Sequence, residues 1–258
     1  MNPASRTFRR GECDADTRKL NFALAVKCRV AASLFRLSLR QGVGGLVGER
    51  GMQAQELEGK IPVRTIRRVC VFCGSSTGHR AVYAEAAESL GRHLAGAEIG
   101  LVYGGGRVGL MGKIADAVIA AGGEAIGVIP RDLAEKEIAH GSLTRLHVVG
   151  SMHERKAMMA DLSDAFVLMP GGFGSWEEFC EIVTWLQLGI HRKPCGVLNV
   201  AGYYDALLEQ GAHAVAEGFL SGAHREMIVV SDDGAKLVAG LAAVELPANA
   251  KWLPPRDR

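Results

Sequence analysis

Two short segments concentrate the side chains that could do chemistry. Ser151-Met152-His153-Glu154-Arg155-Lys156 sets two adjacent cations behind a hydroxyl, and Pro170-Gly171-Gly172-Phe173-Gly174-Ser175-Trp176-Glu177-Glu178 sets two adjacent carboxylates behind three glycines. In the first, Ser151 and Glu154 have capping-box spacing, which places Arg155 and Lys156 in a helix's first turn, where cations oppose the helix dipole. Such cations are often only solvated, yet they suit a site where an anion binds between them. His153 reads as structural. In the second, Ser175 and Glu178 share the same spacing, so Glu178 has two readings. It is either a carboxylate folded back onto the backbone N–H of Ser175, or an acid presented to a ligand at a helix end that glycine leaves open. The second arrangement is what acid–base chemistry beside a bound anion needs.

Three glycine loops stand where ligands could approach the backbone: Gly74-Ser75-Ser76, Gly104-Gly105-Gly106 and Pro170-Gly171-Gly172. They make Gly74, Ser75, Gly105 and Gly106 candidate substrate contacts. Gly104, Gly106 and Gly109 spell G-x-G-x-x-G, which invites a dinucleotide reading. That reading weakens because Ile129-Pro130-Arg131 stands where a ribose-binding carboxylate belongs. Two readings remain for this loop: an anion site of backbone N–H groups at a helix N-terminus, or tight turns alone. Cys70 and Cys73 form a lone C-x-x-C inside an apolar run and read as buried strand residues, not a metal site.

The elements that must position these residues alternate regularly. Strands are expected at Ile66–Cys73, Ile99–Tyr103, Ala125–Ile129, Leu146–Val149, Ala165–Met169, Cys195–Val200 and Met227–Val230. Helices are expected to about Ala95, to about Ala121, from Met152, from Trp176 and near Tyr204–Glu217. Strands that read as continuous Val/Ile/Leu runs are buried on both faces, which points to α/β architecture: a Rossmann-like, doubly wound parallel sheet with helices on both faces. In such sheets ligands sit at the strands' C-terminal ends, where all three glycine loops fall.

The 258 residues, 48% apolar with 33 glycines, suffice for one sizeable core. The net charge of +2 hides nine Lys/Arg against three acids in residues 1–40, so the remainder carries about −4 and no nucleic-acid footprint. Residues 1–63 read as a basic extension, 64–246 as the folded domain and 247–258 as a tail. The extension is either flexible or a basic amphipathic helix over Arg18–Arg40, with Leu20, Leu24, Leu34 and Leu37 among its apolar positions. No apolar run reaches the roughly 20 residues of a membrane span. Six scattered cysteines suit a reducing compartment, so a cytoplasmic location is expected.

Taken together, Met152 to Lys156, Pro170 to Glu178, Gly104-Gly105-Gly106 with Gly109-Leu110-Met111-Gly112, and Thr184-Trp185-Leu186-Gln187-Leu188-Gly189 resemble the LOG (Lonely Guy) family of cytokinin riboside 5′-monophosphate phosphoribohydrolases. The resemblance covers roughly residues 66–245, with Ser175 standing where that family usually has Thr, so the hydroxyl is kept. It implies release of free base and ribose 5-phosphate from N6-substituted AMP, and often from AMP, by a homodimer or larger homo-oligomer with no cofactor and no metal. It also implies Arg155 and Glu178 as the catalytic pair. Glu137, Lys156, Gly172, Phe173, Gly174, Ser175, Trp176, Glu177 and Thr184 would bind substrate. Rival readings are a non-catalytic nucleotide or cofactor carrier on the same loops and an NAD-dependent oxidoreductase.

Overall fold

The apolar runs become strands in the computed structural model, which describes residues 64–134 and 139–247. All of these lie in one unit of the chain, Gly59–Arg258. The N-terminal extension, Glu137 and residues 248–258 lie outside the described residues. The strands are β1 (Arg68–Phe72), β2 (Gly100–Tyr103), β3 (Ala125–Pro130), β4 (Arg145–Val149), β5 (Ala165–Leu168), β6 (Cys195–Leu198) and β7 (Ile228–Ser231). Among the described residues they make one seven-stranded sheet, ordered β4-β3-β2-β1-β5-β6-β7, and every pairing is parallel. The chain steps outward from β1 to β4, then crosses back to lay β5 against the other side of β1. The order therefore reverses between β1 and β5, and helices leave their C-terminal ends in opposite directions, opening a crevice there.

The helices are α1 (Ala81–Gly96), α2 (Gly109–Ala120), α3 (Arg131–Ala134), α4 (Met152–Leu162), α5 (Phe173–Leu188), α6 (Asp205–Ala216), α7 (Gly222–Glu226) and α8 (Gly234–Ala243). Side chains alternate across each strand, so the sheet feeds two cores. On one face Val69, Val71, Leu101 and Tyr103 pack with Leu90 and Leu94 of α1, Ile114 and Val118 of α2, and Leu237 of α8. On the other, Cys70, Phe72, Val102 and Phe166 pack with Met159 of α4 and Phe179 and Ile182 of α5. Cys70 and Cys73 are both buried, and burial pushes both thiols up, as expected for strand residues.

The helix starts follow their caps. At α4 the box forms: Ser151 Oγ accepts from Glu154 N (3.1 Å), and Glu154 Oε2 accepts from Gly150 N (2.8 Å), one residue before the reciprocal partner of an ideal box. At α5 the expected box does not form. The helix begins at Phe173, three residues before Trp176, because Gly172 in extended backbone (φ −96°, ψ −156°) is the N-cap. Ser175 is then inside the first turn. The reading of Glu178 as a cap of Ser175 falls with that start, while the helix end stays without a side-chain cap. Helices α3, α7 and α8 were not expected. The last two do carry signals, since Ser221 Oγ accepts from His224 N (3.2 Å) and Asp233 Oδ1 from Lys236 N (2.8 Å).

Helices α1 and α2 end in the same way. After α2, Gly122 (φ 78°) turns left-handed while its N–H reaches Ile119 O and that of Gly123 reaches Val118 O. After α1, Glu98 (φ 56°) takes that position, with Glu98 N to Ala95 O and Ile99 N to Leu94 O. Both are Schellman motifs, but a Cβ is strained in the left-handed region and a carboxylate opposes the helix's negative end. Glu98→Gly should therefore raise stability by about 0.5–1 kcal/mol. A higher urea midpoint checks this, and an unchanged or lower one contradicts it.

Candidate active site

A cleft of about 310 Å³ opens at the β1/β5 crossover, within the range of small-molecule sites. The end of β1 and its loop supply Val71, Phe72, Cys73, Gly74 and Ser75; α4 supplies Met152 and Arg155; the start of α5 supplies residues 172–175, Glu177 and Glu178; Gly104 and Met111 close the side. A larger hollow of about 500 Å³ lies by the strands' N-terminal ends, lined by residues including Arg67, Arg68, Glu98 and Glu124. There Arg68 Nε is already paired with Glu124 (2.8 Å), and it is the end of the sheet away from the glycine loops. The smaller cleft is the candidate site.

Two loops fix its floor. Gly74 N donates to Pro170 O (3.0 Å) and Met169 N to Phe72 O (2.9 Å), so the loops after β1 and β5 are stitched together. Gly171 has no room for a side chain: a Cβ would strike Ser175 Oγ and come within 2.9 Å of Gly74 N. Two tyrosines that the sequence analysis did not single out hold the same loop. Tyr204 Oη donates to Met169 O (2.8 Å) and Tyr203 Oη to Gly171 O (2.7 Å). Nothing in their local pattern points to Gly171; only the position of the turn after β6 brings them there.

Arg155 and Glu178 meet in the cleft, with Nη2 3.7 Å from Oε1. Both are buried, at 7% and 9% exposure. The separation exceeds a direct charge-assisted hydrogen bond, so the pair is held close without closing. Arg155 Nε is buried and has no partner. An unmet buried donor beside a cleft is what a ligand acceptor would satisfy. Phe173, 85% exposed and edge-on to the Trp176 ring (5.2 Å), stands at the cleft as an uncovered apolar surface.

The other expected residues scatter. Gly172, Phe173, Gly174, Ser175, Glu177, Gly74 and Ser75 line the cleft; Lys156, Trp176, Thr184, Gly105 and Gly106 do not. Thr184 Oγ1 donates back to Cys180 O (2.7 Å). Lys156 Nζ is held by Glu177 Oε1 (2.6 Å) and Glu181 Oε2 (3.0 Å). In the G-x-G-x-x-G loop, the N–H groups of Leu110 and Met111 both point to Gly74 O (3.0 and 3.4 Å), so the start of α2 is occupied by the protein's own carbonyl. Gly105 O accepts from His140 N (3.1 Å), and Gly106 bridges to Ala139. The open N–H groups are those of the first turn of α5, where Gly172 brings no side chain to bond them.

Known proteins give this arrangement a family. A family profile described as possible lysine decarboxylase matches residues 111–241. A probable cytokinin riboside 5′-monophosphate phosphoribohydrolase of Oryza sativa subsp. japonica is 50% identical over 190 residues, 74% of this chain and 84% of that protein. The chain belongs to the LOG family. A cytokinin riboside 5′-monophosphate phosphoribohydrolase of Rhodococcoides fascians is 47% identical over 184 residues, 71% of this chain and 91% of that protein. Among solved structures, the molybdenum cofactor carrier protein of Chlamydomonas reinhardtii has a TM-score of 0.51 at 20% identity, covering 67% of this chain and 94% of that one. That likeness is one of fold. Within the LOG-family chain, the residues lining the cleft include no lysine. Among the described residues, no helix is long and apolar enough to cross a membrane, and no cluster of His, Cys, Asp and Glu could hold a metal ion.

Glycines around the cleft differ in what a side chain would meet. At Gly104 a Cβ would meet the far end of Arg155, a flexible side chain; at Gly109 (φ 64°) it would strike the backbone of Ser75 and Ser76. Gly109→Ala should lower stability by more than about 1 kcal/mol. Gly104→Ala should melt near the parent protein while its crystal structure shows the guanidinium displaced from Glu178. Equal melting of the two variants, or an undisturbed Arg155, would contradict this account.

Proposed function

We propose that the cleft hydrolyses the N-glycosidic bond of adenosine 5′-monophosphate and its N6-substituted forms, releasing free purine and ribose 5-phosphate. The observation that carries the reading is the buried, loosely held Arg155–Glu178 pair at the open end of α5. The relatives' names, phosphoribohydrolases acting on cytokinin riboside 5′-monophosphate, support the same substrate class.

The chemistry follows from the residue types. Cleaving the bond between base and ribose develops positive charge at the anomeric carbon, and a carboxylate there can stabilise that charge while it orients or deprotonates the attacking water. Glu178 takes that role. Arg155, whose guanidinium carries only donors, bonds either the phosphate or the departing purine. The first N–H groups of α5, at Phe173, Gly174 and Ser175, favour an anion by position and dipole. Met111, Met152 and Phe173 give the purine an apolar wall. No dissociable cofactor is required. The same reading includes a homodimer or larger assembly, supported by the exposed Phe173 beside the cleft and Ile190, 59% exposed just beyond the end of α5. It places the protein in the cytoplasm.

Glu178→Gln should lower turnover by about 10²–10⁴ with little change in melting, since the side chain keeps its size and loses its charge. Product chromatography on AMP and isopentenyl-AMP reads this. Near-normal release of base from Glu178→Gln would overturn the catalytic assignment, and intact nucleotide with the parent protein would favour a carrier.

The phosphate is expected to be obligatory. Binding energy at a remote anion can hold the ribose in reactive geometry, so adenosine should lose kcat as well as affinity relative to AMP. Equal kcat/KM for nucleoside and nucleotide would contradict a phosphate anchored at α5.

A further inference from the structure

Arg155 and Lys156 are neighbours on α4, and successive helical residues point about 100° apart, so the two cations leave the helix in different directions. Arg155 faces the cleft. Lys156 runs into the seam between α4 and α5, its side chain only 11% exposed and absent from the cleft wall. Its Nζ donates to Glu177 Oε1 (2.6 Å) and forms an ion pair with Glu181 Oε2 at 3.0 Å without a hydrogen bond, so two carboxylates one turn apart on α5 form the clasp.

The charge count argues against a role in holding substrate phosphate. One ammonium already faces two carboxylates, which leaves no positive charge for an incoming anion. Burial disfavours the ammonium, but the hydrogen bond to Glu177 and the charges of Glu177 and Glu181 outweigh it and raise its pKa, so the clasp holds at neutral pH. Geometry gives the clasp a purpose. Glu177 is next to Glu178 on α5 as Lys156 is next to Arg155 on α4, so the clasp lies one residue from the Arg155–Glu178 pair on both helices. A slide or rotation of either helix would disturb both contacts together.

We propose that Lys156 is a positioning residue: a strut between α4 and α5 that sets the spacing of Arg155 and Glu178 and makes no contact with substrate. The proposal rests on the hydrolase reading of the cleft. It assigns Lys156 a role different from the substrate contact that the family resemblance implies.

The test is a charge swap with kinetics on AMP and binding of ribose 5-phosphate. Lys156→Met should lower kcat by about ten-fold or more, as misplacement of reacting groups does, with KM and the Kd of ribose 5-phosphate within about three-fold of the parent. Glu181→Gln should lower kcat in the same direction by less, because Glu177 still holds the ammonium. The double variant should be no worse than Lys156→Met, and Lys156→Glu combined with Glu181→Lys should recover kcat to within about five-fold of the parent. A phosphate contact would behave otherwise: Lys156→Met would raise the Kd of ribose 5-phosphate at least about ten-fold, Glu181→Gln would leave or tighten it, and the swap would stay inactive. That pattern overturns the strut. Should Lys156→Met fail to fold, the swap decides alone: folded and active supports the strut, and folded but inactive, or unfolded, overturns it. A parent protein that cleaves no nucleotide would sink the hydrolase reading and not this one, which the ribose 5-phosphate affinities of the same variants still judge.

Discussion

The pairing of β1 with β5 is the constraint on which the rest of the site depends. Val69 to Phe72 lie in register with Ala165 to Leu168, although 96 positions separate them in the chain. That neighbourhood is where the sheet's order reverses, so the loops after the two strands diverge and leave a crevice that neither loop could form alone. The stitch from Gly74 N to Pro170 O closes its floor. Two glycines there answer a close approach: Gly171 has Ser175 over it, and Gly109, left-handed, lies against the backbone of Ser75.

Burying Arg155 with Glu178 makes poor sense as stabilisation. Taking two charges out of water costs several kcal/mol each, and a 3.7 Å separation recovers less than a tight bidentate pair would. A guanidinium with an unmet buried Nε adds to that cost. Strain of this kind persists where surrounding packing imposes it, and it is commonest where ligands bind. Here the imposing elements are α4, started by Ser151 and Glu154, and α5, started by a glycine that leaves the helix end uncapped. A substrate acceptor would supply the partner that Arg155 Nε lacks.

Much of this was legible in the sequence, for identifiable reasons. Alternating apolar runs and helical periods gave all seven strands within about two residues of their observed ends, because a strand covered on both faces can hardly read otherwise. The box at Ser151 was legible because both partners are local. The start of α5 was not, since Ser175 and Glu178 have the spacing of a cap, and only the extended backbone of Gly172 shows that the helix begins earlier. The G-x-G-x-x-G loop misled for a different reason. Spacing records where glycines fall but not what fills the space, and Gly74 O fills the place an anion would take at α2. Lys156 and Arg155 were equally charged letters side by side; which of them reaches the cleft depends on helix rotation, which no local signal sets. Tyr203 and Tyr204 were invisible because their partners lie more than 30 residues away.

The likeness to a molybdenum cofactor carrier sharpens what the fold does and does not decide. A parallel sheet with a switch point supplies a crevice, backbone N–H groups and a helix dipole, which serve any anionic ligand equally well; holding a cofactor and cutting a nucleotide are both open to it. What a carrier has no use for is a buried carboxylate. Placed beside a bound anion, Glu178 weakens binding by repulsion and desolvation, so a surface built only to hold would do better without it. A hydrolase accepts that loss in the ground state because the same charge stabilises the positive centre that appears only as the glycosidic bond breaks. The pairing with Arg155 makes the compromise tolerable at rest. On the proposed reading, it is therefore the position of one carboxylate in the second turn of α5, more than the sheet beneath it, that separates cutting from carrying.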